Sequence, residues 1–141
     1  MNEHLLFHGA LPSTLDKICK GGFNPQRGGE TTGKLFGVAS YFASNSSKAD
    51  DYTEERAMML PKYSQRTLVV ARVALGEAFR ATQPMQSATR PPDSDAGVEF
   101  DSVWADRGAH SGQLPPSAGC LYVQAELSQG SSLLAPTISP P

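Results

Sequence analysis

Four residues in the first half of the chain have side chains that suit a ligand site: His8, Gly9, Tyr41 and Tyr52. An imidazole can exchange hydrogen bonds with a ligand hydroxyl, and tyrosine rings can pack on a flat ligand. His8 and Gly9 follow the apolar residues 5–7, a pattern that suits a buried strand ending at a ligand pocket. Taken singly, each residue has an ordinary alternative, because most histidines are structural and most aromatic residues pack in the core. A functional interpretation therefore depends on the motifs that accompany them.

Further motifs lie between the histidine and the second tyrosine. Residues 24–33 form a polar stretch almost without apolar side chains, with the length and composition of a binding loop. Residues 44–47 are all of N-cap type, so a helix is expected to begin there, between Tyr41 and Tyr52. The eleven-residue spacing of the tyrosines across this helix start can return the second ring to the first.

The elements that must position these residues are short. A first helix is expected to begin at Ser13 and Thr14, to carry Leu15, Ile18 and Cys19 on one face, and to stop at the glycine pair that follows. It is expected to lie against the sheet.

A second helix is expected to run through Tyr52 toward Met58, with Asp50 and Asp51 in its first turn, where the helix dipole favours negative charge. Residues 67–75 are the strongest strand signal and are expected in the centre of the sheet. Shorter strands are expected within residues 98–103 and 120–123. Many short strands, two or three helices and no β-α repeat predict an α+β fold on a mainly antiparallel sheet.

Size and charge narrow the classes of function. A chain of 141 residues with 39% hydrophobic content predicts one domain, placed at residues 1–127, and a flexible tail at 128–141. The net charge of −2 offers no basic field for nucleic acid or membranes, and no apolar run is long enough for a signal peptide or a membrane span. The two cysteines, Cys19 and Cys120, have no metal-ligand spacing. We expect a monomeric intracellular protein, cytoplasmic or nuclear, without a metal.

The order of these motifs resembles the catalytic domain of the poly(ADP-ribose) polymerase family, within the diphtheria-toxin-like ADP-ribosyltransferases. The likeness covers residues 5–123, most of the chain. It rests on residues 6–9, 36–43 and 46–48 with Tyr52, and residues 73–76 and 101–103 support it. The resemblance implies an ADP-ribosyltransferase fold, with a split sheet, and NAD+ as the substrate.

It also implies roles for individual residues. His8 would hydrogen-bond the adenine-proximal ribose of NAD+, and the main chain of Gly9 would pair with the nicotinamide carboxamide. Tyr41 and Tyr52 would enclose the nicotinamide ring, a contact that contributes about 0.5–1.5 kcal/mol for each well-placed aromatic neighbour. Further contacts to NAD+ are implied for Phe42, Ala43, Ser47 and Lys48. Arg27 is the best candidate in the polar loop for a phosphate contact, with an ordinary solvated arginine as the equal alternative.

The chain departs from the family pattern at the position that matters most for catalysis. The family has a glutamate at the start of a late strand, and Cys120 stands at that position here, so the implied catalytic set is His8, Tyr41 and Cys120. A different alignment would bring Glu126 to the same place. Two hydroxyl residues of the family are also replaced, by Ala10 and Ala49, each with the loss of a hydrogen bond of about 1 kcal/mol.

Three functions are compatible with this sequence. The first is transfer of a single ADP-ribose from NAD+ to a protein or another acceptor, without polymer, because elongation in the family depends on the glutamate. The second is a catalytically impaired domain that binds NAD+, ADP-ribose or a protein partner, and the replacements above favour it. The third is a scaffold that binds no nucleotide.

Overall fold

The structure is a computed structural model. It describes residues 2–28, 35–53 and 66–105, and the backbone of residues 120–123. They form one six-stranded sheet with two short helices and one 3-10 turn. In chain order the elements are β1 (Glu3–Gly9), α1 (Pro12–Gly21), the 3-10 turn (Pro25–Arg27), β2 (Ser40–Ala43), α2 (Ser46–Asp50), β3 (Leu68–Ala74), β4 (Ala78–Ala81), β5 (Ser102–Ala105) and β6 (Cys120–Val123). The α+β class predicted from the sequence is confirmed.

The sheet is divided between β1 and β2. Its strand order is β3-β1-β2-β6-β5-β4, and every neighbouring pair is antiparallel except β4 and β5. β1 pairs with β3 along its whole length, but with β2 only where Phe7 lies opposite Ala43. The two strands therefore separate on either side of this single pair, as the resemblance to a split sheet implies.

The strongest strand signal of the sequence forms β3, which lies at one end of the described sheet, so the central position predicted for it is wrong. Along β3 burial alternates: Val69, Ala71 and Val73 are buried, whereas Arg72 and Ala74 are exposed. A continuous β-branched run fits any half-buried pleated surface. Such a run therefore identifies a strand without fixing its place in the sheet.

Helix α1 begins earlier than the sequence pattern indicated. Its N-cap is Leu11, with no side-chain hydrogen bond, and Pro12 occupies the first turn. Proline suits this position because its fixed φ is already helical and its missing N–H has no partner to lose. The expected serine and threonine cap is therefore wrong. Leu15 and Ile18 are buried as predicted, but Cys19, assigned to the same face, is exposed.

Helix α2 is shorter than expected. Asn45 is its N-cap, and the side chain accepts from the backbone N–H of Ser47 at 3.0 Å. The helix ends at Asp50, with Asp51 as its C-cap, so neither carboxylate lies in the first turn. The dipole argument made for them is wrong because the helix has only five residues. Its predicted continuation toward Met58 lies outside the described residues.

Two apolar clusters form the core. The larger joins α1 to β1, β2 and β3, and its buried members are Leu6, Leu15, Ile18, Phe42, Val69, Ala71, Val73 and Leu75. The smaller lies around β4 and β5, and its buried members are Phe36, Ala81, Val103 and Ala105. Neither described helix has the length and apolar character of a membrane span.

Strand β4 and its parallel pairing with β5 were not predicted, and β5 begins four residues later than the run expected from residue 98. A turn at Gly76 (φ +56°) separates β3 from β4, and Asp101 accepts from the backbone N–H of Glu77 at 2.9 Å. Ser102, fully buried, donates to the Leu75 carbonyl at 2.8 Å. The sequence motifs at residues 73–76 and 101–103 thus meet at one corner of the sheet.

Candidate functional site

The gap between β1 and β2 is bridged by His8. Its Nδ1 lies 2.7 Å from the backbone carbonyl oxygen of Tyr41. A carbonyl only accepts, so Nδ1 carries the proton and donates, and the neutral ring presents an unprotonated Nε2. Burial lowers the pKa of His8 below 6.5, although the hydrogen bond to Tyr41 raises it in part. The imidazole is therefore neutral at pH 7, with one nitrogen engaged and the other able to accept.

The phenol of Tyr41 is fixed by the segment that precedes β2. Its hydroxyl donates to the carbonyl of Gly37 at 2.5 Å. Burial raises the pKa of Tyr41, a backbone hydrogen bond at Phe36 lowers it, and the charge of Tyr52 raises it further. The hydroxyl is thus a donor at neutral pH, and the Tyr52 phenol is close enough to influence it electrostatically.

Gly37 was part of a motif in the sequence but was not identified as a site residue. Its φ is +88°, and a Cβ there would lie 2.0 Å from the carbonyl oxygen of Ala88. Only glycine suits such a conformation beside a packed backbone. The carbonyl of Gly37 accepts the hydrogen bond of the Tyr41 hydroxyl, and in the sequence only the motif that contains Phe36 and Gly37 pointed to this residue.

Tyr52 lies in the turn after α2, half-buried, beside a buried lysine. The Lys48 ammonium is 5.2 Å from the centroid of the Tyr52 ring and 3.2 Å from a carboxylate oxygen of Asp51. A cation over an aromatic face is attracted by the ring quadrupole. Two predicted site residues, Lys48 and Tyr52, are therefore in contact with one another.

Gly9 lies against the end of α2. A Cβ at Gly9 would lie 1.8 Å from the carbonyl oxygen of Ala49 and 3.4 Å from a methyl of Leu68. Glycine at this position allows the backbone of α2 to approach the end of β1. Ala49 is buried at 2% exposure. The position where the family has a hydroxyl residue is therefore adjacent to the glycine expected to receive the carboxamide.

Strand β6 places Cys120 in the middle of the sheet. The backbone of Cys120 lies opposite Ala43 of β2 and Ala105 of β5, and Tyr122 lies opposite Tyr41. Cys120 is therefore at the strand end nearest to Ala43, beside the strand that carries Tyr41. The alternative candidate, Glu126, lies outside the described residues.

The remaining predicted residues are less central. Phe42 and Ala43 are buried at 4% and 5% exposure, and Phe42 belongs to the larger apolar cluster. Ser47 is exposed, and its hydroxyl hydrogen-bonds the Asn45 side chain at 2.8 Å. Arg27 is exposed at the end of the 3-10 turn. Of these four, Phe42 has a ring contact with His8, with centroids 5.7 Å apart.

The 3-10 turn itself lies against the strand that carries Tyr41. A Cβ on the next residue, Gly28, would lie 1.5 Å from the carbonyl oxygen of Ala39. The beginning of the polar loop is therefore packed beside the start of β2, while residues 29–34 lie outside the described part of the chain.

Across the described residues, no group of three or more histidine, cysteine, aspartate or glutamate side chains could hold a metal ion. A family model of the poly(ADP-ribose) polymerase catalytic domain matches residues 1–117. The matched segment includes both sides of the divided sheet and ends before β6. The chain therefore belongs to the poly(ADP-ribose) polymerase catalytic domain family, whose members use NAD+ as their substrate, and has the α+β ADP-ribosyltransferase fold.

Proposed function

We propose that this protein transfers a single ADP-ribose from NAD+ to an acceptor, with release of nicotinamide and without formation of polymer. The acceptor we propose is a protein side chain. The proposal depends above all on one observation, the hydrogen bond from His8 Nδ1 to the Tyr41 carbonyl. This bond fixes the imidazole beside the strand that carries Tyr41, where β1 and β2 separate.

In this proposal the described residues hold the two ends of NAD+. The free Nε2 of His8 accepts a hydrogen bond from a hydroxyl of the adenine-proximal ribose. Tyr41 and Tyr52 enclose the nicotinamide ring, and the main chain of Gly9 binds its carboxamide. The fixed Tyr41 hydroxyl and the neutral His8 favour this, because a preorganised site loses little entropy when the substrate binds.

The chemical step breaks the bond between ribose C1′ and the nicotinamide nitrogen. Its electron pair leaves with nicotinamide, and a nucleophilic atom of the acceptor forms the new bond to C1′ and releases its proton to solvent. Positive charge develops on the ribose as the bond breaks, so a nearby carboxylate stabilises the transition state. In this proposal Cys120 stands at the position of that carboxylate, so the family's negative charge is missing there. We therefore expect slow transfer and no elongation.

A second function is favoured by a specific set of replacements. Ala10 packs its methyl against the larger apolar cluster, and Ala49 is buried beside Gly9, so neither position offers the hydroxyl that the family pattern has. Together with Cys120, these alanines suit a domain that binds NAD+ or a protein partner and turns over no substrate. The two functions share the binding site and differ in the bond-breaking step.

Labelled NAD+ separates the two functions. Purified protein is incubated with NAD+ carrying label in the adenylate and, separately, in the nicotinamide; released nicotinamide and protein-bound label are then measured. Stoichiometric single transfer that disappears in Tyr41→Ala supports the enzyme. Thermal stabilisation by NAD+ without nicotinamide release supports the binding function. Ladders of long polymer would contradict the absence of elongation, and the lack of both signals would refute both functions.

A further inference from the structure

The imidazole of His8 is surrounded by two phenylalanine rings from different parts of the chain. The ring of Phe23 meets it edge to face, with centroids 5.0 Å apart and an interplanar angle of 86°. Phe42 lies 5.7 Å from His8, and the two phenylalanine rings are 4.8 Å apart. The three rings form one contiguous aromatic triangle beside the Nδ1 hydrogen bond.

This triangle defines the orientation of the imidazole. The hydrogen bond to the Tyr41 carbonyl fixes the direction of Nδ1, but it leaves the ring free to tilt about that bond. An edge-to-face contact opposes such a tilt, because the negative face of one ring attracts the positive edge of the other. Phe42 belongs to the core and is fixed with it. Phe23 contributes the contact from outside the sheet.

We propose that Phe23 is a positioning residue, which holds the His8 imidazole so that Nε2 faces the ribose hydroxyl of the bound nucleotide. The inference deepens the proposed function and rests on it where the nucleotide is concerned. Phe23 lies outside the motifs that identify the family in this sequence, and it was not among the predicted site residues.

The backbone around Phe23 explains how its ring is held. On one side Gly22 is the C-cap of α1, with φ +78° and its N–H donating to the Ile18 carbonyl at 2.8 Å. On the other side the Asn24 side chain caps the 3-10 turn by accepting from the N–H of Gln26 at 3.0 Å. Phe23 is therefore anchored between helix α1 and a capped turn, and its ring also packs against the larger apolar cluster.

The position of Phe23 also links the polar loop to the site. Asn24 and the 3-10 turn follow it directly, and Gly28 packs on the backbone before β2. The beginning of the loop and the orientation of the imidazole are therefore fixed by the same short segment. A change that displaces this segment is expected to disturb His8 without touching it.

The test is an NMR titration of histidine ring nitrogens, made on the full chain. The sequence has three histidines, at positions 4, 8 and 110, and His8→Gln assigns the signal of interest. In the wild type, His8 is expected to show a protonated Nδ1 and an unprotonated Nε2, and to titrate below 6.5. In Phe23→Leu we expect a mixture of tautomers and a pKa moved toward the ordinary value. Phe23→Tyr restores the ring and should restore the wild-type signals.

Two controls separate positioning from general stability. Phe79 packs against the smaller apolar cluster, and its ring centroid lies 5.5 Å from that of Phe100. Phe79→Leu should therefore lower the melting temperature and leave the His8 signals unchanged. Exposed His4 provides an internal reference in every sample. Circular dichroism of each variant shows whether the sheet is intact.

Binding of NAD+ is measured on the same variants by calorimetry. Loss of one aromatic contact is expected to weaken binding about two- to tenfold in Phe23→Leu, with recovery in Phe23→Tyr. An unchanged His8 tautomer and titration in Phe23→Leu would overturn the positioning role, whatever happens to binding. If the wild type does not bind NAD+, the proposed function fails, while the NMR signals still decide whether Phe23 holds the imidazole. If Phe23→Leu shifts the His8 signals but binds NAD+ like the wild type, the link to the nucleotide is refuted.

Discussion

The proposed site has one side that holds NAD+ and another that breaks its bond to nicotinamide. The two sides differ in how closely their residues match the family pattern. The side proposed to hold NAD+ is formed by His8, Gly9, Tyr41 and Tyr52. Hydrogen bonds fix His8 and Tyr41, and Gly9 lies close to the backbone of α2. On the proposed bond-breaking side, strand β6 lies beside β2, and the sequence comparison predicts that Cys120 takes the place of the family's carboxylate. Binding and bond cleavage are therefore expected to be separable in this protein, with the first retained and the second weakened.

The largest effect is expected when the bond-breaking side is restored. Cys120→Glu places a carboxylate beside β2, where it can stabilise the positive charge that develops on the ribose. Removal of one such electrostatic group in other enzymes costs roughly 100- to 1000-fold in turnover. We expect a gain approaching this size in the rate of nicotinamide release, measured with NAD+ at saturation.

The matched control is Cys120→Gln, which has nearly the same shape without the charge. It should leave the rate close to that of the wild type, and neither variant should change the affinity for NAD+ greatly. An unchanged rate in Cys120→Glu, in a folded protein that binds NAD+, would show that Cys120 is not the counterpart of the glutamate. Glu126 would then be the remaining candidate for that position.

The holding side is broken most directly at Gly9. In Gly9→Ala the new methyl would lie 1.8 Å from the carbonyl oxygen of Ala49, so α2 must move away from β1. Overpacking of this kind costs about 1–3 kcal/mol of unfolding free energy. Denaturant unfolding should show this loss, and NAD+ affinity should fall with it because Ala49 and Tyr52 move together.

Gly21→Ala provides the comparison, because nothing lies within 4 Å of a Cβ at Gly21. This residue ends helix α1, and alanine there should be neutral or stabilising by about 0.5–1 kcal/mol. Equal stability losses in the two variants would mean that the contact between Gly9 and α2 is not the reason for the glycine. A Gly9→Ala protein that binds NAD+ normally would show that the close approach of Gly9 to α2 is not needed for NAD+ binding.

The holding side could be predicted from sequence only in part. The sequence motifs alone predict a site, formed by His8, Gly9, Tyr41 and Tyr52, because these motifs are local in the chain. Phe23 had no such signal: a single phenylalanine after a helix is indistinguishable from a core residue until its distance to His8 is known. Hydrogen bonds such as that between His8 and the Tyr41 carbonyl span 33 residues and depend on how two strands separate.

The fold shows the same limit. The strand signal at residues 67–75 was correct, but the position of β3 in the sheet depends on which strands pair, and β-branched composition carries no such information. The helix ends were also misjudged, because Pro12 and the short length of α2 override the capping and dipole preferences of the flanking residues. The class of fold was predictable because it depends on the number and kind of elements.

The pH response of the holding side follows from His8. Its pKa is lowered in the folded protein, so the unfolded chain takes up a proton more readily. The contribution of His8 to the free energy of unfolding is therefore complete above pH 6.5 and declines as the pH falls toward the folded pKa.

NAD+ affinity should decline below the folded pKa of His8, by about tenfold for each pH unit, because protonation removes the acceptor at Nε2. Calorimetry across this range measures the effect, and His8→Gln should bind weakly with little pH dependence. A wild-type affinity that stays constant as the pH falls through the folded pKa of His8, determined by the NMR titration, would contradict the role of a neutral imidazole.

The smallest expected effect comes from restoring a hydroxyl next to Gly9. In Ala49→Ser the added hydroxyl is placed at a buried position beside the proposed carboxamide position. A buried hydroxyl without a partner destabilises the free protein, and a nicotinamide amide that bonds it contributes about 1 kcal/mol. Affinity for nicotinamide should thus rise about fivefold, and the thermal shift on binding should be larger than in the wild type. Ala49→Cys, close in volume and a much weaker hydrogen-bond donor, should show little gain. Equal affinities for nicotinamide in the wild type, Ala49→Ser and Ala49→Cys would place the carboxamide away from α2. The nicotinamide ring would then have a different orientation between Tyr41 and Tyr52.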